Sequence, residues 1–124
     1  MAGTAHASWG DGMLDGIGLR LEHYMDLLSA RQRLVAGNIA NANTPGYRTK
    51  DIDFQKEYNN LISGDSPQSI EPEDLKGKND GNNVNLDREM RLLSENAMRF
   101  GIASKLANSQ IRAIRSAIKD GNAS

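Results

Sequence analysis

The sequence predicts a mainly α fold, in which long N- and C-terminal helices form a coiled-coil-like hairpin joined by a short central helix and a long flexible loop. Three observations predict it. Apolar residues recur at helical spacing over two long stretches that contain no proline. A Pro-Gly pair stands just beyond the first stretch. A segment dense in Gly, Pro, Asn and Asp separates that turn from the second. With 124 residues, 38% of them hydrophobic and only 5% aromatic, one structural unit with a narrow core is expected.

Residues 1 to 12 are rich in Gly, Ala and Ser without periodicity, and read as a flexible tail. The first helix is expected over residues 13 to 42. There Leu14, Ile17, Leu21, Tyr24, Leu28 and Val35 follow steps of three, four, three, four and seven, and Met25, Leu27, Leu34 and Ile39 widen the stripe. At 1.5 Å per residue it spans roughly 40 Å. Pro45 disfavours α geometry at Thr44, and Gly46 accepts the positive φ of a type II turn. Beyond the turn, Phe54, Tyr58, Leu61 and Ile62 mark a short amphipathic helix capped by Asp53. Residues 63 to 85 read as a long loop, completing a connecting region over 43 to 85.

The second long helix is expected over residues 86 to 121, with Asn85 or Asp87 as its cap and Gly121 at its end. Met90, Leu93, Ala97, Phe100, Ser104, Ala107, Ile111, Ile114 and Ile118 alternate steps of three and four, a heptad seam over four heptads. A second row, Met98, Ile102 and Leu106, lies nearly opposite. A two-helix hairpin buries one seam of each helix, so this row needs another cover. Either Phe54, Tyr58 and Leu61 supply it within the chain, or neighbouring subunits do; the second reading is preferred, because a continuous apolar stripe on a long helix marks a partner surface.

Several functions are excluded or disfavoured by composition. The absence of cysteine removes disulfides, thiolate nucleophiles and Cys-ligated metals. No catalytic residue, cofactor site or metal site is expected. His6 and His23 lie far apart with no acid–base–nucleophile set around them, and residues 65 to 80 lack the order of a calcium loop. The net charge of -1 gives no reason to expect nucleic acid, and Arg112, Arg115 and Lys119 form only a short basic face at a helix end. No apolar run reaches membrane-spanning length, so direct membrane insertion is not expected. The opening residues lack the basic and apolar regions of a Sec-type signal.

The stretch Gly37-Asn38-Ile39-Ala40-Asn41-Ala42-Asn43-Thr44-Pro45-Gly46-Tyr47 resembles the signature of the flagellar rod and hook family. Within that family, Arg48 to Phe54, Asn83 to Glu89 and Glu95 to Phe100 are similar to the small proximal rod members, although Gly37 stands where Ser is common and Phe100 where Tyr is common. The resemblance implies that Asn38, Asn41, Asn43, Thr44, Pro45, Gly46 and Tyr47 form an assembly motif. It further implies a torque-transmitting subunit of the periplasmic rod, exported unfolded by the flagellar type III apparatus without a cleaved Sec signal. Its partners would be other copies, other rod proteins and the junction of rod and membrane ring. A different small rod protein of the family, or a helical secretion adaptor or chaperone, is the alternative. The adaptor would not need the Asn-Thr-Pro-Gly-Tyr turn.

Overall fold

A computed structural model of the chain describes the backbone of residues 8–60 and 66–123, and side chains within 16–60 and 66–121. Helix α1 runs Ser8–Ala40, strand β1 Asp51–Ile52, helix α2 Phe54–Asn59, strand β2 Ser69–Ile70 and helix α3 Leu86–Ala123. The fold is mainly α, as expected: α1 and α3 pack along one another, and α2 and the two short strands gather beside α1. Gln110 lies against Gly18, Asn96 bonds Gln32 and Glu89 bonds Asn38, so the helices are antiparallel. At 1.5 Å per residue α3 is roughly 57 Å long.

Both long helices overrun their expected limits. The helix α1 starts at Ser8, inside the stretch read as a tail. Once nucleated, a helix gains one hydrogen bond for each residue added, and Gly10 and Gly12 weaken that propagation without stopping it. Likewise α3 continues through Gly121 to Ala123. Glycine permits a left-handed cap but does not impose one. Residues 1–7, the side chain of Leu14, and Leu61 and Ile62 lie outside the described residues.

The α1 stripe faces the core in its second half. Leu27, Leu28 and Val35 are buried, Leu21 and Tyr24 are half-buried, and Ile17 is exposed. On α2, Asp53 is the cap as expected, its carboxylate accepting from Lys56 N. This helix packs on α1. Tyr24 meets the rings of Phe54 and Tyr58 edge-on, at centroid distances of 5.6 and 6.3 Å, and His23 Nε2 lies 3.0 Å from Glu57 O. The reading in which α2 covers the second row of α3 is therefore corrected. Tyr24 offers α2 a nearer aromatic face, and Met98, Ile102 and Leu106 remain 62%, 53% and 54% exposed.

The connecting segment is also less loose than its composition suggests. Ile52 pairs with Ser69 and Asp51 with Ile70 in a two-stranded antiparallel ribbon, and Asn82, Asn83 and Val84 are buried. The amides of Asn82 and Asn83 are held because they bond backbone groups in and after the turn beyond α1, at Asn41, Thr44 and Thr49.

Candidate functional site

A helix leaves its last four carbonyls without intrahelical partners. At the end of α1, Asn41 N donates to Gly37 O and Asn38 O, and Ala42 N donates to Ile39 O. Asn41 Nδ2 donates to Gly37 O at 2.8 Å, and its Oδ1 accepts from the Thr44 hydroxyl at 3.0 Å. The Lys78 ammonium donates to Ala42 O, a cation placed at the negative end of the helix dipole. Pro45 and Gly46 then turn the chain. Gly46 has a φ of +76°, and Tyr47 N donates to Thr44 O, which closes the turn. Asn43, Thr44 and Pro45 are exposed beside it.

One turn earlier sits Asn38, fully buried. Its Nδ2 donates to Lys50 O at 2.8 Å and to Glu89 Oε2 at 3.1 Å. Its Oδ1 accepts from Lys50 N at 3.0 Å and from the Tyr47 hydroxyl at 3.1 Å. Both donor hydrogens and both lone pairs are therefore used. A single amide binds α1, the segment leaving the turn and the first turn of α3.

Charge surrounds this amide in a closed set. Arg31 grips Asp51 with two bonds of 2.9 and 3.0 Å, and Arg88 reaches the same carboxylate at 2.6 Å and Glu89 at 2.7 Å. Two guanidinium groups thus neutralise two buried carboxylates, the arrangement that makes ionic burial tolerable. Burial alone would raise the Asp51 carboxyl. The bonds from Arg31 and Ile52 N, the Arg31 charge and the bond from Arg88 outweigh it, and hold the group below its ordinary value. Burial raises the Tyr47 phenol, and the Glu89 charge raises it further, so its hydroxyl stays a donor to Asn38.

The partner half of the junction was not singled out from sequence. Asn82 Nδ2 donates to Asn41 O at 2.9 Å and to Thr44 O at 2.8 Å, while Oδ1 accepts from Val84 N. Asn83 Oδ1 accepts from Thr49 N at 2.6 Å, and its carbonyl accepts from the Thr49 hydroxyl. Gly46 N donates to Asp80 O, and a Cβ on Gly81 would come within 3.6 Å of Gly46 Cα. The Asn79-Asp80-Gly81-Asn82 run reads as a simple turn in sequence; its real role is to fasten the upstream turn at Thr44 and Gly46. Asn85 caps α3, its Oδ1 accepting from Arg88 N. Glu89, which reads as a first-turn charge, belongs to the buried set.

The seam of α3 differs from the expected one. Facing α1 are Glu89, Asn96, Ala103 and Gln110, at strict seven-residue steps, with Leu93, Phe100 and Ala107 beside them. Asn96 Nδ2 donates to Gln32 Oε1. The row Met90, Ala97, Ser104, Ile111 and Ile118 is turned to the edge of that face: Met90, Ile111 and Ile118 are exposed, and so is Ala97. Ile114 is exposed as well. The correction has a physical cause. The ion and amide network at the junction sets the rotation of α3, and it carries polar residues inward ahead of the more apolar neighbouring row.

No group of three or more His, Asp or Glu side chains is placed to hold a metal among the described residues, and no described helix is long and apolar enough to cross a membrane. Comparison with known proteins speaks to the same segment. Residues 25–48, the end of α1 with its turn, match the family model described as Flagella basal body rod protein. The chain is 29% identical over 133 residues to the flagellar basal body rod protein FlgB of Yersinia ruckeri, covering 87% of this chain and 97% of that one. It is 28% identical over 138 residues to FlgB of Escherichia coli K12, covering 89% of this chain and all of that one. FlgB of Borrelia hermsii is 27% identical over 122 residues, covering 77% of this chain and 90% of its own length.

This chain is similar to the flagellar basal body rod proteins, in the family match over residues 25–48 and in the FlgB relatives over most of its length. It is FlgB-like, a structural subunit of the rod located in the flagellar basal body. The family match and the junction coincide: Arg31, Asn38, Asn41, Thr44, Gly46 and Tyr47 all fall within the matched residues. In this rod protein the signature is the polar clamp that sets how α1 meets α3.

Proposed function

We propose that this rod subunit sits in the proximal part of the rod, self- and co-assembles through its terminal helices, and transmits motor torque without catalysing a reaction. The observation that carries this reading is an asymmetry of satisfaction. At the junction, hydrogen bonds and ion pairs saturate Asn38, Asp51 and Glu89. Along α3, large apolar side chains from Met90 to Ile118 stand in solvent. A rigid clamp orients a helix whose outer surface is left for neighbours, and each large side chain covered on assembly gains about 1.5–3 kcal/mol. Asn38, Asn41, Asn43, Thr44, Pro45, Gly46 and Tyr47 serve assembly by stiffening that helix end.

The partners in this reading are other rod proteins and the junction of rod and membrane ring, with the flagellar type III apparatus carrying the chain out unfolded to its periplasmic position. A secretion adaptor is not favoured, since adaptor work gives no use to so elaborate a turn. Deleting the gene is the test. Loss of rods and of swimming, with the membrane ring still formed, is the expected result; cells that swim normally would overturn the proposal.

A further inference from the structure

Apolar surface on α3 falls on two separated sides. On one side a groove runs between α1 and α3, floored by Leu21, Met25, Ser29, Ala97, Phe100 and Ile111. Its α3 side is low, because Ala97 and Ala107 are small. Its α1 bank is acidic, with the exposed Glu22 and Asp26 one turn apart. On the other side Met98, Ile102 and Leu106 stand four residues apart and form a ridge. Ile102 follows Phe100 by two residues, about 200° around the helix axis. The ridge and the groove therefore look in different directions.

We propose that the groove of one copy receives the Met98, Ile102 and Leu106 ridge of a second copy of this chain, in a head-to-tail contact; the inference rests on the rod reading and names which surfaces meet. Two features choose the occupant. The first is shape: side chains four apart are the ridge that packs into a helix–helix groove, and small residues on the groove bank let the second helix approach. The second is charge. Arg91, Lys105 and Arg112 lie at seven-residue steps from Met98, hence on its strip of the helix, and Arg99 adjoins it. Glu95 is an acid on this face, and the balance is basic, opposite in sign to the Glu22 and Asp26 bank. A net charge of -1 adds little general repulsion between copies. Because ridge and groove are different patches on different sides, the contact is heterologous, and it propagates from copy to copy instead of closing a two-fold dimer.

The chain lacks cysteine, so introduced thiols report cleanly. Basal bodies are isolated from cells expressing the full chain with Asp26→Cys and Lys105→Cys together, and treated with a short thiol cross-linker. Bands of two, three and more joined copies are expected, since each copy offers one groove and one ridge. Cells co-expressing the two single variants should give a two-copy band, and neither variant alone should. Adding Glu22→Lys should weaken the ladder severalfold, and Arg112→Glu in the same chain should restore it; circular dichroism of each purified variant establishes that its helices are intact. Basal bodies that contain the chain but give no multi-copy bands, or bands joining it only to a different protein, would overturn the contact and leave the rod reading standing. A chain absent from basal bodies would overturn both.

Discussion

Asn38 concentrates the chemistry of the junction in one side chain. Replacing it with Ala leaves the buried Glu89 carboxylate and the part-buried Lys50 N and O short of partners. An unsatisfied buried group costs about 1–3 kcal/mol, so Asn38→Ala should lose about 3 kcal/mol of stability, read as a lower denaturant midpoint of the helical signal. Asp51 makes a prediction in pH. Its folded-state value lies below its ordinary one, so the folded chain keeps the carboxylate ionised where the unfolded chain has begun to take up a proton. The stabilisation is thus complete above the ordinary carboxylate value and is lost as pH falls through the lowered one. Asp51→Asn should flatten the acid limb of a stability–pH profile. An unchanged acid limb would mean that the ion set contributes nothing.

At the scale of elements, two glycines in one motif should respond in opposite directions. Gly37 lies within α1, and a Cβ there would stand 3.8 Å from the Tyr47 hydroxyl, an ordinary contact. Gly37→Ala should therefore stabilise the helix by about 0.5–1 kcal/mol, through lower backbone entropy in the unfolded chain. Gly46 has open space around it but a φ of +76°. There Gly46→Ala should cost about 1–2 kcal/mol, because a side chain resists the left-handed region. Thermal melts of the two variants check both signs. The helices, the turn and the Asp53 cap were legible in the sequence because each depends on neighbours within a few residues. The rotation of α3 was not, since Glu89 and Asn96 look like surface residues until Asn38 and Gln32 are placed opposite them.

For the whole molecule, the division between inner and outer surface decides what a mutation does. Met98 and Ile102 are exposed in the single chain, so Met98→Asp with Ile102→Asp should leave its helical content and melting unchanged. Incorporation into the rod should nevertheless fall sharply, measured as chain recovered with isolated basal bodies. Leu93→Asp buries a charge against α1 and should instead unfold the hairpin. If the double variant assembled normally, the outer row would not be an assembly surface.

What the sequence determined alone is local and periodic: two long helices, a Pro-Gly turn and a capped short helix all follow from spacing and backbone preference. The family likeness was equally readable, because the motif that carries it is one continuous run. Tertiary structure alone decided which row of α3 faces α1, that α2 covers Tyr24 and leaves Met98, Ile102 and Leu106 bare, and that Asn82 secures the turn. The reason is physical. Polar side chains are buried only when specific distant partners satisfy them, and no periodicity along the chain records who those partners are.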